Sequence, residues 1–225
     1  RLEWSKQHTG NPYPTHGLGP VCQYMDINRG DCFEFLTSVS SNQLGISRAA
    51  AEKYGKNSPQ AKARYRLGDM NSSLIRTYRG RTILVQHDTT SPRPYSRINL
   101  ISGTRGVLAD YPLRVALAPD THAWMKESEL EALKAKYVHP LWDKNGEAAK
   151  KAGGHGGMDF LMDLRLCHCL QHGLPLDIDV YDSALWSSVV ELSERSAERD
   201  GKPVKVPDFT RGAWKIAEPL GIVTV

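Results

Sequence analysis

The sequence predicts an α+β fold, an open and mainly antiparallel β-sheet with helices packed on one face. Three observations carry this. Two pairs of β-patterned segments are each joined by a short glycine-containing turn, and turns that short join only antiparallel neighbours. From residue 126 onward the apolar spacing changes from two to three and four, the helical period. Finally, no strand runs into a Gly-x-Gly-x-x-Gly turn and a helix, so no dinucleotide-binding unit is expected.

Taken in order, residues 1–14 are polar, with Gly10-Asn11-Pro12 making a turn. Residues 15–27 read as a short helix with Thr15 as its cap. Residues 31–40 read as a strand whose Phe33, Phe35, Thr37 and Val39 share one face at period two. The polar segment 42–67 carries alanines with Lys and Arg, which suggests helical pieces. The strongest β signal follows: 72–78 and 81–87 flank Arg79-Gly80, and 97–102 and 106–109 flank Gly103-Thr104-Arg105. After Pro119 come a charged helix over 126–137, with Leu130 and Leu133 three apart, and a glycine-rich loop over 153–157. A helix over 158–172 leaves that loop. A long amphipathic helix over 177–199 places Ile178, Tyr181, Leu185, Val189 and Leu192 along one stripe, and Gly201 with Pro203 ends it. With no repeat and no low-complexity linker, a single domain over residues 1–225 is the simplest account.

Composition narrows the function classes. The 225 residues are 40% hydrophobic with a net charge of +4, and the cations are interspersed with acids along the whole length. Nucleic-acid binding favours a concentrated basic stripe, which is missing, so no nucleic-acid partner is expected. No apolar run approaches the ~20 residues that span a bilayer, so no membrane partner is expected either. Cys22, Cys32, Cys167 and Cys169 are too few for a disulfide scaffold and read as buried free thiols.

Four constellations bear on chemistry. Tyr13-Pro14-Thr15-His16-Gly17-Leu18-Gly19-Pro20 sets a phenol, a hydroxyl and an imidazole within four residues, on backbone fixed by proline and opened by glycine. The residues alone fit a rigid turn or a binding site. Tyr95, in a proline-rich segment before a strand, and His155, in the glycine loop before a helix, are equally open between packing and function. Cys167-His168-Cys169 with His172 has the look of a metal cluster. On a helix, however, Cys167 and Cys169 point apart by about 200°, so no metal site is expected. Arg29-Gly30-Asp31 is read as a turn before a strand.

Tyr13-Pro14-Thr15-His16-Gly17-Leu18-Gly19-Pro20, Asp26-Ile27-Asn28-Arg29-Gly30-Asp31, His87-Asp88-Thr89, Pro94-Tyr95-Ser96-Arg97 and His155-Gly156-Gly157-Met158-Asp159 occur here in one order. Together they resemble the C-terminal portion of glycoside hydrolase family 109, over nearly the whole chain. Those are bacterial NAD-dependent α-N-acetylgalactosaminidases within the glucose–fructose oxidoreductase and inositol dehydrogenase superfamily. The resemblance implies a substrate-binding and oligomerisation domain, with the NAD-binding domain N-terminal to it and absent from this chain. It implies a reaction outside the two-carboxylate scheme: oxidation at sugar C3, elimination of the glycosidic oxygen, water addition and re-reduction. His16 and Tyr13 are then the catalytic candidates. Arg1, Tyr13, Pro14, Thr15, His16 and Tyr95 become the substrate-binding set, and His155 lies near it. A further catalytic tyrosine and the glutamate near the cofactor are expected in the other half.

The same resemblance implies a carbohydrate substrate, NAD as a cofactor bound outside this chain, a homo-oligomer built through the sheet face, and an isolated fragment without activity. Export, by a signal upstream of Arg1, stays open. Two other readings remain: a sugar dehydrogenase of the same superfamily, and a non-catalytic sugar-binding or oligomerisation module.

Overall fold

The computed structural model describes residues 1–88, 90–119 and 122–225. Thr89, one of the residues behind the resemblance, lies outside them. The chain forms two compact units, Arg1–Pro92 with Ile178–Leu220, and Arg93–Asp177 with Gly221–Val225.

The first unit holds a four-stranded antiparallel sheet in the order β3-β2-β1-β7, made of β1 (Phe33–Ser40), β2 (Met70–Thr77), β3 (Thr82–Asp88) and β7 (Val204–Lys205). β2 and β3 are the hairpin expected around Arg79-Gly80. One face is covered by α2 (Thr15–Tyr24) and α8 (Val180–Ala197). Leu18, Cys22, Phe33, Leu36, Ile75, Leu185, Val189 and Val206 close a single core between them, each large side chain contributing about 1.5–3 kcal/mol by burial. α1 (Leu2–Gln7), α3 (Gly45–Tyr54) and α4 (Pro59–Lys62) complete the unit. Leu2 and Trp4 of α1 pack on a smaller cluster of Ile46, Tyr65 and Leu67.

Several expectations change here. Phe33 does not share a face with Phe35, Thr37 and Val39. The register with β2 shifts between Phe33 and Phe35, and such a bulge turns the rest of the strand over. Phe33 is therefore in the core, while Val39 is exposed. Thr15 does not cap α2; Pro14 holds the cap position, and α2 stops at Tyr24 because Asp26 and Asn28 adopt positive φ. Ile178 precedes α8 and is exposed, as is Tyr181. Asp179 caps that helix by accepting from the backbone N–H groups of Tyr181 and Asp182, and Trp186 joins the buried stripe instead. Residues 2–7, within the polar stretch 1–14, are helical. Arg29-Gly30-Asp31 does form the expected turn before β1: Arg29 donates to both carboxylate oxygens of the buried Asp182 at 3.1 and 2.8 Å, and Asp31 accepts from the N–H groups of Cys32 and Arg79.

The second unit has its own antiparallel sheet of β4 (Leu100–Gly103), β5 (Gly106–Ala109) and β6 (Arg114–Leu117). The two sequence hairpins thus belong to separate sheets. Helices α5 (Glu127–Lys136), α6 (Pro140–Ala152) and α7 (Met158–His172) follow, with Arg165 of α7 paired to Asp177 at 3.0 Å. Among the described residues no helix is long and apolar enough to cross a membrane. Cys167, expected to be buried, is exposed, whereas Cys22, Cys32 and Cys169 are buried.

Candidate functional site

The Tyr13–His16 segment is held by the core at one end and by a side-chain turn at the other. Leu18 is fully buried, and Gly19 brings α2 so close to α8 that a Cβ there would meet the Trp186 ring at 3.5 Å. Before the helix, the buried Asn11 accepts the Tyr13 N–H through Oδ1 at 3.1 Å, a local Asx turn. The Pro14 carbonyl then accepts from the N–H groups of Gly17 and Leu18. Pro20, further along α2, has no N–H to return to the His16 carbonyl.

This framework sets two exposed rings against each other. Tyr13 and His16 stack with centroids 4.6 Å apart and planes at 26°. Their Oη and Nε2 atoms are 3.4 Å apart, a long hydrogen bond of the kind that tightens when a ligand arrives. A phenol and an imidazole in this relation can pass a proton between them and offer both partners to a hydroxyl. Pro14 is buried beneath them and Thr15 is half-buried beside them, so these four candidates come together. Arg1 occupies the cap position of α1 with its side chain exposed.

Tyr95 and His155 belong to the second unit. The Tyr95 hydroxyl accepts from Arg97 Nε at 2.8 Å, and its ring meets Tyr111 edge-on at 5.9 Å. His155 Nδ1 lies 3.0 Å from both carboxylate oxygens of Asp159. Gly157 beside it is required by close approach: a Cβ there would lie 2.8 Å from the Ala149 backbone carbon. Among the described residues no group of three His, Cys, Asp or Glu side chains is placed to hold a metal ion. Nor do the named strands, all antiparallel, form a strand–glycine turn–helix cradle for a dinucleotide.

His87, of the His87-Asp88-Thr89 motif, lies in β3, the strand beside α2. Arg81, before β3, donates to the Met25 carbonyl just after α2, and Gly17 at the other end of α2 lies against Val85. The helix therefore runs antiparallel to β3, about 12 Å of helix against about 13 Å of strand. His87, two residues beyond Val85 on the same face of the strand, is half-buried. Burial holds His87 below the ordinary histidine value, against the upward pull of Asp88, so its imidazole is neutral near neutral pH. The signal in the sequence is its place four residues after Ile83 and two after Val85, in a strand whose alternate residues face the core.

The comparisons decide the family. The model of the glycosyl hydrolase 109 C-terminal domain matches residues 1–216. The chain belongs to glycosyl hydrolase family 109. It is 53% identical over 227 residues to a glycosyl hydrolase family 109 protein of Shewanella amazonensis, covering 99% of this chain and 50% of that protein. It is 52% identical over 228 residues to an alpha-N-acetylgalactosaminidase of Shewanella oneidensis, covering 99% and 49%. The chain thus spans about half the length of the curated relatives it matches. A levoglucosan dehydrogenase in complex with NADH shares the fold at a TM-score of 0.52 with 15% identity, over 92% of this chain and 61% of that one. This family membership agrees with the resemblance read from the motifs, and the antiparallel α+β architecture agrees with the fold it implied.

Proposed function

We propose that this chain is the sugar-binding half of an NAD-dependent glycosidase that removes terminal α-N-acetylgalactosamine. The stacked, hydrogen-bonded Tyr13–His16 pair on a proline-fixed turn is the observation that carries it, in a chain half identical to a relative named for that activity. Supporting a nicotinamide cofactor, a protein of the same fold is described in complex with NADH. Among the described residues no strand runs through a glycine turn into a helix as a dinucleotide cradle would, so NAD is assigned to the remainder of the full-length protein. When bound, it supplies reversible hydride transfer with the sugar. Within this chain, His16 takes and returns a proton at Nε2 with Tyr13 as its partner, while Thr15 and Arg1 orient sugar hydroxyls. The isolated chain is accordingly inactive.

The test is hydrolysis of an aryl α-N-acetylgalactosaminide by the full-length protein with NAD⁺. His16→Ala is expected to lower kcat about 10²–10⁴-fold, the usual worth of a positioned proton-transfer group, and Tyr13→Phe by about tenfold. Retention of activity within twofold by His16→Ala overturns the assignment. Net accumulation of NADH without released sugar favours the dehydrogenase reading instead.

For self-association we propose the uncovered sheet face, where Leu74 and Leu84 stand opposite each other across β2 and β3 and, with Val39, remain exposed. A contiguous apolar patch on a sheet marks an interface. Leu74→Lys with Leu84→Lys should convert the oligomer to monomer by light scattering, and an unchanged mass removes this face from the assembly.

A further inference from the structure

α8 does more than cover the sheet. Two of its carboxylates, one turn apart, hold the segment that leads into the Tyr13–His16 group. Glu194, with its side chain largely buried, uses both oxygens: Oε2 lies 3.0 Å from His8 Nδ1, and Oε1 accepts the Thr9 N–H at 3.1 Å. The neighbouring Ser193 Oγ accepts the Asn11 N–H at 2.8 Å while donating to the Val190 carbonyl. Between these anchors Gly10 presses on α8 so closely that a Cβ would lie 2.6 Å from the Glu194 nitrogen. At the end of α8, Glu198 pairs with Arg66 at 2.5 Å, and Arg66 in turn donates to the Gln7 carbonyl at 2.6 Å. The His8 ring is fixed from its other side by stacking on Trp4 at 4.6 Å, and Thr9 Oγ1 hydrogen-bonds Ser40 Oγ of β1 at 3.0 Å.

Residues 7–11 are thereby tied at every position to α8, β1 or Arg66. The next links are short: Asn11 Oδ1 receives the Tyr13 N–H, and Tyr13 Oη reaches His16. Arg1 sits at the far end of α1 from this anchored segment. A surface ion pair with neutral surroundings contributes little, but this carboxylate satisfies a backbone donor and a ring nitrogen in one place, and both lead directly to the site.

We propose that Glu194 is a positioning residue of the sugar-processing site, acting through His8, Thr9 and Asn11 to fix the Tyr13–His16 pair. This rests on the functional reading above, since only in that reading does the pair carry proton transfer. Misplacing a reacting group by about 1 Å costs on the order of a hundredfold in rate, and loss of a two-point anchor is a change of that size.

The experiment compares Glu194→Ala, Glu194→Asp and Glu194→Gln in the full-length protein with NAD⁺, alongside a core variant, Ile75→Val, as a stability control. Glutamine keeps an oxygen for the Thr9 N–H and presents an amide to His8. Aspartate keeps the charge but is one methylene too short. Expected are a kcat lowered about 10–100-fold with KM changed less than threefold in Glu194→Ala and Glu194→Asp, and kcat within threefold of wild type in Glu194→Gln. Glu194→Asp serves if Glu194→Ala does not fold. Losses equal in Glu194→Gln and Glu194→Asp, or losses that merely follow Tm as in Ile75→Val, overturn the proposal. Hydrogen exchange over residues 8–13 gives a readout independent of turnover: it should accelerate at least tenfold in Glu194→Asp and stay unchanged in Glu194→Gln. Unchanged exchange in both also overturns it. A wild-type protein without glycosidase activity removes the functional reading alone and leaves the exchange comparison to decide the anchor.

Discussion

The two units of the chain spend their apolar residues differently. Among the described residues, both clusters of buried apolar side chains lie in the first unit, where Leu36, Ile75 and Val189 are sealed from solvent. The buried side chains of the second unit are fewer, Val115, Leu130, Leu141 and Cys169 with the alanines Ala109, Ala116 and Ala149. Many of its larger ones are turned outward: Met158, Met162, Leu166 and Leu170 follow one another every fourth residue along α7, and all are exposed. The difference bears on where chemistry can be held precisely. A hydroxyl or carboxylate anchored on a close-packed framework keeps its place to within a hydrogen bond, because such interiors resist displacement. Tyr13 and His16 have that support from Leu18, Asn11 and α8. The groups on the second unit are braced by surface side chains, Tyr95 by Arg97 and Tyr111 and His155 by Asp159.

The largest test of this contrast is cavity formation. Leu36→Ala or Ile75→Ala should cost about 3 kcal/mol in denaturant unfolding, the usual penalty for emptying a sealed site. Leu166→Ala on α7 should cost less than about 0.5 kcal/mol, as an exposed substitution does. A cost above about 2 kcal/mol for Leu166→Ala in the full-length protein would erase the contrast, because it would mean that this face is covered there.

Ion pairs offer the next comparison. Arg29–Asp182 in the first unit leaves the carboxylate 1% exposed, whereas the carboxylate of Arg165–Asp177 in the second is 25% exposed. Removing one partner of a buried pair strands the other, so Arg29→Ala should destabilise by about 3 kcal/mol. Arg165→Ala should destabilise by about 1 kcal/mol, because water can reach its partner. Equal costs would show that the two pairs are equally buried in solution.

These contrasts also explain what the sequence disclosed. The hairpin of β2 and β3 and the helix α7 were legible because period and turn chemistry are local. α7 in particular spans the residues expected, 158–172. α6, rich in Lys and Ala, and the four-residue β6 were not recognised, since neither shows a strong apolar period. The bulge at Phe33 misled a period-two reading because one extra residue reverses every side chain after it. In the site, Tyr13, Thr15 and His16 announced themselves by unusual chemistry within four residues. Glu194 did not, because its partner His8 is 186 residues away, and a glutamate on an amphipathic helix looks like any solvated one. His87 lay between these cases: its alternation was visible, but its burial depends on packing.

His87 gives a smaller effect whose sign is fixed. Burial lowers its pKa from the ordinary 6.5, so between the two values the unfolded chain binds more protons than the folded one. Stability is then full above about 6.5 and drains as pH falls through that value toward the lowered one. His87→Gln should flatten the pH dependence of unfolding in that window, and an unchanged slope would place the imidazole in water.

The smallest effect concerns access alone. Thiolate attack on a disulfide reagent needs both ionisation and an open path. Burial pushes the Cys22 thiol well up and the Cys32 thiol up to about 12, and Cys169 is buried in α7 while Cys167, two residues earlier, is exposed. The folded protein should therefore titrate one fast thiol, lost in Cys167→Ser, and release three more only on unfolding. The slow set divides the units further. Cys22 and Cys32 should react no faster than the core of the first unit opens, whereas Cys169 reports on α7. If Cys169 reacts ahead of Cys22 by more than tenfold, the second unit opens on its own, and its thin interior is a difference in stability as well as in composition.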